Sequence, residues 1–222
     1  MLAIMAKAPR TGHVKTRLSG NAAEDTVVGL YRCLVEDTVA MARTLPLVHV
    51  AIVCPTGDAT DLRAWLDGVS IVEQTRPGLA AALTMTFEYF AAAGFTRIVA
   101  FNSDTPHLPA RILEQAFDAL ATHDIVAGPT EDGGYYLVGA RLPHPTLFET
   151  PELSTGGALD ALLSRVQALG LTAARTDAWY DIDVHGDLER LVRDLAAQPN
   201  RAPRTAAYLA RYYLRNPSGD SR

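Results

Sequence analysis

The sequence contains few of the residues that build disulfide frameworks or zinc sites, and it has no long uninterrupted apolar run. Its two cysteines, Cys33 and Cys54, lie far apart and belong to no CxxC pair, so neither a disulfide framework nor a cysteine zinc site is supported. The six histidines show no HxxH or HExxH spacing, so zinc catalysis has no support either. Charges interrupt every apolar run, and Lys7 ends the first run after the length of one strand. Such runs are too short for a signal peptide or a transmembrane helix, and we therefore expect a cytoplasmic protein without a membrane span.

Positive charge is also scarce. The formal net charge is -5, and Lys and Arg dominate no long stretch, which argues against nucleic acid as the main partner. The single dense basic cluster, Lys7, Arg10, Lys15 and Arg17, is short and suggests a small anionic ligand. The patterns GxxxxGK[ST], GxGxxG and GxSxG are absent, which argues against a P-loop ATPase, a Rossmann dehydrogenase and an α/β-type serine hydrolase.

Short apolar runs alternate with segments of helical period along the chain. Residues 2–6 are apolar throughout, as in a strand buried on both faces, and residues 27–43 carry one apolar stripe at helical spacing. This alternation predicts a single α/β domain over 1–200, with a mostly parallel sheet and helices on both faces. A C-terminal helix and a polar, disordered tail are expected over 201–222. The expected strands are 2–6, 48–54, 69–73, 97–102, 125–127, 135–140 and 172–176, and the expected helices are 27–43, 61–66, 79–93, one opened by Pro109, 157–169, 185–197 and 203–214.

The loop after the first strand, 7–17, holds four lysines and arginines and a glycine. In parallel sheets ligands bind beyond the carboxyl ends of the strands. Arginine binds phosphate oxygens in a bidentate manner, and lysine supplies a mobile point charge. Because clustered like charges repel unless an anion joins them, this loop predicts phosphate binding. The alternative is a solvated loop whose cations pair with surface carboxylates.

A carboxylate, Asp104, follows the apolar fourth strand. A carboxylate at the end of a buried strand is costly unless it is paired, and Mg²⁺ or Mn²⁺ is a suitable partner for a hard oxygen ligand. Capping of the next helix is the alternative, but Pro109 opens that helix several residues later. A metal ligand is therefore favoured.

Two further carboxylates, Asp181 and Asp183, have DxD spacing just before a predicted helix. In an extended stretch both would point the same way and could share a cation. Helix capping by Asp183, with Asp187 in the first turn, explains the spacing equally well. Together with Asp104, however, a metal site formed by two carboxylates becomes the better account.

A glycine-rich segment, 130–136, follows the fifth strand. Its glycines permit a left-handed turn or a close approach to a ligand, and Asp132 could act as a general base or bind an acceptor. Asp-Gly is also the strongest short hairpin signal, and both interpretations can hold together.

Two weaker signals remain. Gln74 or Arg76, after the third strand, could contact a base or ribose. Ser154 and Thr155 precede a helix, and capping its N-terminus could be their whole role.

Four segments, taken in order, carry a family resemblance: AKAPR with VKTRL (6–10 and 14–18), SDTPHLP (103–109), GP with EDGGYYL (128–137) and WYDID (179–183). The chain resembles the small bacterial GT-A-fold family DUF2064, usually described as a glycosyltransferase of uncharacterised substrate. The resemblance runs from Met1 to about Leu195. This family is related in fold to phospholactate guanylyltransferases and to nucleotidyltransferases of the molybdenum-cofactor type.

The resemblance implies a single-domain GT-A (nucleotide-diphospho-sugar transferase) fold with a nucleotide-binding half first and an acceptor half second. It implies that Asp104 and Asp183 bind Mg²⁺ or Mn²⁺. The chain departs from the family in two places, since VHGDL replaces TPEDL at 184–188 and segment 74–78 has less glycine. The residues expected at the nucleotide and its phosphates are Lys7, Ala8, Pro9, Arg10, Lys15, Arg17, Gln74 and Gly78. Those expected at the acceptor are Gly133, Gly134, Tyr135, Ser154, Thr155, Trp179 and Tyr180, with Asp104, Asp132 and Asp183 as the catalytic set.

We therefore expect a metal-dependent glycosyltransferase that moves a sugar from a nucleotide-diphosphate sugar to a small acceptor. The alternative is a nucleotidyltransferase that joins a nucleoside triphosphate to a phosphorylated acceptor and releases pyrophosphate. A third hypothesis is a nucleotide-binding protein without catalysis. The sequence leaves open the donor base and sugar, the acceptor, the stereochemical outcome and the oligomeric state.

Overall fold

Strands and helices alternate along the residues that the structure describes, which are 1–18, 23–150 and 156–215, with side chains as far as 212. In this computed structural model the strands are β1 (Leu2–Met5), β2 (Val50–Cys54), β3 (Ser70–Glu73), β4 (Ile98–Asn102), β5 (Ile125–Pro129), β6 (Tyr135–Ala140) and β7 (Ala173–Arg175). The helices are α1 (Glu24–Ala42), α2 (Ala59–Trp65), α3 (Leu79–Ala92), α4 (Ala110–Ala119), α5 (Ala158–Ala168), α6 (His185–Ala197) and α7 (Pro203–Arg215). The expected tail, 216–222, lies outside the described residues.

The strands form one sheet in the order β3-β2-β1-β4-β6-β5-β7. All adjacent pairs are parallel except those of β6, which runs antiparallel to both β4 and β5. The direction of β6 follows from its connection, because the short turn over 130–134 joins it directly to β5 and a tight hairpin joins antiparallel strands. The predicted mostly parallel sheet is confirmed, and the Asp-Gly pair lies in a hairpin as its turn chemistry predicted.

Helices cover both faces of the sheet, as predicted. Side chains alternate along β1, so Leu2 and Ile4 face one layer while Ala3 faces the other. The first layer contains α1, α2, α4, α6 and α7, and the second contains α3 and α5. Each helix buries side chains against the sheet. Examples are Leu30, Leu62, Ile112, Leu191 and Leu209 on the first face, and Phe87 and Leu162 on the second.

The carboxyl ends of β1, β2, β3 and β4 meet at one edge of the sheet because these four strands are parallel. The loops that follow β1, β3 and β4 are those in which sequence analysis found the candidate binding residues. The central position of β1, between β2 and β4, brings its basic loop next to the loop that carries Asp104.

The last helix, α7, is fixed to α1 by a buried carboxylate. Asp37, 1% exposed, accepts a hydrogen bond from the backbone N–H of Thr205 at 2.8 Å and one from that of Arg204 at 3.3 Å. These N–H groups belong to the first turn of α7, where the helix itself supplies no hydrogen-bond acceptor. Among the described residues, no helix is both long and apolar enough to cross a bilayer.

Candidate active site

A cavity of about 600 Å³ opens at the carboxyl edge of the sheet, between the loops after β1, β3 and β4. Its position agrees with the rule that ligands bind beyond the strand ends of parallel sheets. Most of the residues predicted to bind nucleotide and metal line this cavity, although they lie far apart in the sequence. The predicted residues that line it are Lys7, Lys15, Arg17, Gln74, Gly78, Asp104 and Asp183.

Asp104 and Asp183, which are far apart in the sequence, converge on the ammonium group of Lys15. The Nζ atom lies 2.9 Å from Oδ2 of Asp104 and 3.0 Å from Oδ1 of Asp183, and the Lys15 side chain is 5% exposed. Burial opposes the charged form of Lys15, but the two carboxylates outweigh it and raise the pKa of the ammonium. The two predicted metal ligands are thus placed to share one cation.

A third carboxyl, Asp181, adds to the negative charge near this pair. Its pKa is raised to about 6, first by burial and then by the charges of Asp183 and Asp104. Concentrated negative charge of this kind is stabilised by a cation.

The donor set at this position fits a divalent metal with partial protein coordination. Carboxylate oxygens suit Mg²⁺ and Mn²⁺, and Mg²⁺ is commonly held by one or two carboxylates together with water and substrate phosphates. Within the described ranges, no three His, Cys, Asp or Glu side chains are grouped so that they alone could hold a metal ion. Asp104 and Asp183 would therefore hold the metal together with oxygens from the substrate and water.

The cations of the loop after β1 point in different directions. Lys7 and Arg17 line the cavity, and Nη1 of Arg17 lies 3.8 Å from Oδ2 of Asp183. Arg10 does not line the cavity, because its guanidinium pairs with Asp58 at 2.8 Å and with Asp61 at 2.7 Å. For Arg10 the geometry favours the alternative of pairing with carboxylates over phosphate binding.

The neighbours of Arg10 have structural contacts as well. Neither Ala8 nor Pro9 lines the cavity, and Ala8 is buried. Its backbone N–H donates to Oδ2 of Asp58 at 2.8 Å, while the N–H of Lys7 donates to the hydroxyl of Tyr31 at 2.9 Å. Burial raises the pKa of the Tyr31 hydroxyl to about 12, so it remains protonated. Asp58 and Tyr31 therefore fix the loop that presents Lys7.

The segments that carry Asp104 and Asp183 are joined behind the cavity. The N–H of Ile182 donates to the carbonyl oxygen of Asp104 at 3.1 Å. The indole N–H of Trp179 donates to Nε2 of His107 at 3.1 Å. His107 is fully buried, and burial lowers its pKa to about 4. These contacts hold both carboxylates in one orientation.

Trp179 and Tyr180 belong to this packed cluster and do not line the cavity. Their rings lie 5.3 Å and 4.5 Å from the imidazole of His107, measured between ring centroids. The Tyr180 hydroxyl donates to Asp194, and the guanidinium of Arg190 lies 3.8 Å above the Tyr180 ring. Their contacts favour positioning of the Asp183 segment over direct acceptor binding.

The glycine-rich hairpin lies apart from the cavity lining. Oδ1 of Asp132 accepts hydrogen bonds from the hydroxyl of Thr130 and from the N–H of Gly134 at 3.2 Å. The hydrogen bond from Thr130 is the main reason why the pKa of Asp132 is lowered, which weakens this carboxylate as a base. The geometry therefore favours the turn role of Asp132.

Gly133, Gly134 and Tyr135, which were also expected at the acceptor, belong to this turn and to the start of β6. Gly133 has φ +86°, and a Cβ atom there would lie 2.0 Å from the carbonyl oxygen of Gly156. Tyr135 begins β6, and its buried hydroxyl has no hydrogen-bond partner among the described residues. Ser154 and Thr155 lie outside the described residues.

Several residues of the cavity were not predicted from the sequence. Thr16 and Ser103 adjoin predicted residues, so adjacency could have indicated them. Tyr31 belongs to the apolar stripe of α1, which is typical of a core residue. Asp58, which binds the backbone of the basic loop without lining the cavity, carries no signal in the sequence. The missed lining residues include Met5, His13, Thr16, Tyr31, Leu79 and Ser103.

Comparison with known proteins adds a family and several structural relatives. The profile of the DUF2064 family, described as an uncharacterized protein conserved in bacteria, matches residues 38–155. That range includes β4, Asp104 and the glycine-rich hairpin. No curated protein sequence matches the chain.

Solved structures show the fold class. A protein from Desulfovibrio desulfuricans G20, described as a "putative nucleotide-diphospho-sugar transferase", is 27% identical with a TM-score of 0.87, and the match covers 95% of this chain and 93% of that one. A nucleotidyl transferase from Methanothermobacter is 18% identical with a TM-score of 0.60, covering 89% and 98% of the two chains. A CMP:2-keto-3-deoxy-manno-octonic acid synthetase in complex with CTP is 13% identical with a TM-score of 0.56, covering 89% and 98%. The last two share the fold alone, and the predicted nucleotide-diphospho-sugar transferase fold is confirmed.

Proposed function

The chain belongs to the DUF2064 family, and we propose that it is a metal-dependent glycosyltransferase acting on a nucleotide-diphosphate sugar and a small acceptor. The observation that carries this proposal is the convergence of Asp104 and Asp183 on one cation position at the wall of a cavity that Lys7 and Arg17 also line. The description of the Desulfovibrio protein, which is 27% identical over nearly the whole chain, supports the same class of reaction.

The charges of the site suit a departing nucleoside diphosphate. In the proposed reaction the bond between the anomeric carbon and the diphosphate oxygen breaks, and the nucleoside diphosphate leaves with the bonding electrons. The acceptor oxygen bonds to the anomeric carbon and releases its proton to water. Lys7 and Arg17 would bind the phosphates and stabilise the negative charge that develops on the leaving group. A Mg²⁺ or Mn²⁺ ion held by Asp104 and Asp183 would supply further positive charge there.

The nucleoside would extend toward the β3 end of the cavity. Gln74 follows β3 and lines this wall, and its side-chain amide can both donate to and accept from a base or ribose. Gly78, with φ +96°, precedes α3 and permits the close approach of a ligand to the backbone.

The acceptor would enter from the side of the glycine-rich hairpin. A parallel bridge pairs Thr130 with Trp179, so the hairpin lies beside the segment that leads to Asp183. Gly133 and Gly134 would offer backbone groups to the acceptor, and Tyr135 follows them directly in the sequence. Ser154 and Thr155, which lie outside the described residues, keep their predicted acceptor role as a proposal.

Nucleotidyl transfer is the second candidate, and the cationic character of one wall favours it. Besides Lys7, Lys15 and Arg17, the amino-terminal end of α3 meets the cavity at Gly78 and Leu79, and its first turn has no side-chain cap. Free N–H groups at a helix start attract phosphates. A nucleoside triphosphate, which carries more negative charge than a diphosphate sugar, would match these cationic groups well.

A thermal-shift panel separates the two candidates. The full chain is heated with nucleoside triphosphates or nucleotide sugars, each with and without Mg²⁺ or Mn²⁺, because ligands that bind the native state raise the melting temperature. Metal-dependent stabilisation by one nucleotide sugar, above its parent triphosphate, supports glycosyl transfer. Stabilisation by a triphosphate alone, with release of pyrophosphate on addition of a phosphorylated acceptor, supports nucleotidyl transfer.

Variants of the carboxylate pair test the site itself. Asp104→Asn and Asp183→Asn keep the size of each side chain and should abolish metal-dependent turnover. The matched control is Asp177→Asn, because Asp177 is an exposed carboxylate paired with Arg111 and does not line the cavity. An Asp104→Asn protein that retains full metal-dependent turnover contradicts the proposal.

A further inference from the structure

Lys15 occupies the position that a shared metal ion would need. Its Nζ atom is within 3.0 Å of an oxygen of Asp104 and of one of Asp183. A divalent cation that used these same two oxygens would compete with the ammonium for them. The ammonium and the metal are therefore competitors for the carboxylate pair.

The Lys15 ammonium is well placed to compete with a metal, although its partners Asp104 and Asp183 are 26% and 44% exposed. The Lys15 side chain is 5% exposed, so water and salt screen its charge only weakly. By contrast, Arg17 is 74% exposed and its Nη1 lies 3.8 Å from Asp183. Lys15 also has φ +48°, a left-handed conformation that is unusual for a residue other than glycine. Lys15 therefore reaches both carboxylates from an uncommon backbone conformation.

A second partner for Lys15 is available in the same cavity. Lys15 lines the cavity together with Lys7 and Arg17, where the phosphates of a donor would bind. Its ammonium lies at the end of a flexible four-carbon chain with three donors. Rotation of this chain would move the charge from the carboxylates to a phosphate oxygen without movement of the sheet.

We propose that Lys15 is an exchangeable counter-cation, which holds Asp104 and Asp183 together in the free protein and moves to the donor phosphates when a divalent metal binds. The inference rests on the proposed function, because it requires a metal and a phosphorylated donor at this site. It predicts that the metal binds weakly by itself. It also predicts that donor and metal strengthen each other's binding by the same factor, as linkage requires.

The test measures Mn²⁺ affinity directly, from the electron paramagnetic resonance signal of free Mn²⁺ in titrations of the full chain. Lys15→Met removes the ammonium but keeps an unbranched side chain, and it should bind Mn²⁺ about 10- to 100-fold more tightly than the wild type. Lys7→Met removes the same charge from the same cavity without contact to either carboxylate, and its Mn²⁺ affinity should equal that of the wild type. Adding Asp104→Asn to Lys15→Met should abolish the gain.

A second measurement uses only the wild-type protein and does not depend on the folding of a variant. The Mn²⁺ titration is repeated with the nucleotide sugar or triphosphate that gives the largest thermal shift, after correction for Mn²⁺ bound by the free nucleotide. The apparent Mn²⁺ affinity should rise about 10- to 100-fold.

The outcomes distinguish this inference from the proposed function. Detectable Mn²⁺ binding with equal affinity in the wild type, Lys15→Met and Lys7→Met overturns the exchange but leaves a metal-dependent transferase. An equal gain in both lysine variants also overturns it, because the effect would then be a general one of charge. If nucleotide leaves the Mn²⁺ affinity of the wild type unchanged, the exchange is overturned as well. Absence of Mn²⁺ binding under every condition contradicts the metal site itself, and the exchange with it.

Discussion

The indole N–H of Trp179 donates a hydrogen bond to Nε2 of His107 at 3.1 Å. This bond joins the segment that leads to Asp183 with the loop that follows Asp104. Because Nε2 accepts, the proton of the neutral imidazole lies on Nδ1, which has no partner among the described residues. The pair therefore forms a partly buried link between the two segments that carry the candidate metal ligands.

We expect Trp179→Phe to disturb both stability and the site. Phenylalanine keeps an aromatic ring but leaves Nε2 of His107 buried without a donor, which costs about 1–3 kcal/mol. Urea denaturation measures this loss, and Mn²⁺ affinity and turnover should fall as well because Asp183 is held less firmly.

The matched control for Trp179 is Trp65→Phe. Trp65 also donates its indole N–H to a side chain, Glu36, at 2.8 Å, but it does not line the cavity or contact the loops of the two carboxylates. It should lose stability without losing turnover. Equal losses of turnover in the two variants would contradict the positioning role of Trp179.

The depressed pKa of His107 predicts a stability that decreases in acid. The folded pKa is about 4, against an ordinary value of 6.5, mainly because of burial, with Arg201 and Arg190 acting in the same direction and Asp194 opposing them. Between these two values the unfolded chain binds more protons than the folded one, so the free energy of unfolding falls as the pH falls below 6.5. Above pH 6.5 the contribution of His107 is constant.

The size of this effect can be measured against a variant. At pH 5 the loss attributable to His107 should be about 2 kcal/mol relative to pH 7.5. Urea denaturation of the wild type and of His107→Gln at both pH values isolates it, because other titrating groups contribute to both proteins. Parallel pH dependences in the two proteins would show that His107 is not the titrating group.

The fold could be predicted from the sequence because its signals are local. Strands buried on both faces, such as β1 and β4, read as unbroken apolar runs. The helix expected over 79–93 corresponds to α3, and Gly94 just beyond it has the left-handed φ of +90° that often follows a helix. The direction of β6 followed from Asp-Gly turn chemistry.

The site could be predicted only in part, because its decisive contacts join distant segments. Asp58 and Ala8 are separated by 50 residues, and Lys15 and Asp183 by 168. The sequence presents Arg10 and Lys15 as members of one cationic cluster. In the fold, Arg10 turns outward to the carboxylates near α2, and Lys15 turns inward to those of the site. No local pattern distinguishes these two directions.

Asp58 is expected to be the anchor of the basic loop. It is 7% exposed, and Asp58→Ala would leave the buried N–H of Ala8 without an acceptor, at a cost of about 1–3 kcal/mol. Because Ala8 adjoins Lys7, nucleotide affinity should weaken too, which the thermal-shift panel can measure. Asp61→Ala is the control, since Asp61 is exposed and, in the part of the chain that the structure describes, pairs with Arg10 alone. Exposed pairs of this kind contribute little to stability. Indistinguishable stabilities of the two variants would contradict the anchor role.

Gly133 should tolerate no side chain, for a reason that goes beyond its backbone angle. In Gly133→Ala the new Cβ would approach the carbonyl oxygen of Gly156 to 2.0 Å, so the hairpin or the start of α5 must shift. Gly94→Ala is a matched control, because Gly94 has a similar φ of +90° and open space around the added atom. Gly133→Ala should therefore lower the melting temperature clearly more than Gly94→Ala does. Equal shifts would mean that the backbone angle alone sets the cost.

Asp132 allows the turn and general-base roles to be separated by one conservative change. In Asp132→Asn the amide oxygen can still accept the hydrogen bonds of Thr130 and Gly134, but the side chain can no longer take a proton. The turn role predicts near wild-type stability and turnover for Asp132→Asn, and a loss of stability for Asp132→Ala. Loss of a general base would instead reduce kcat about 10²- to 10⁴-fold in both variants. A large loss of kcat in a stable Asp132→Asn protein would restore Asp132 to the catalytic set, and the acceptor would then have to reach the hairpin.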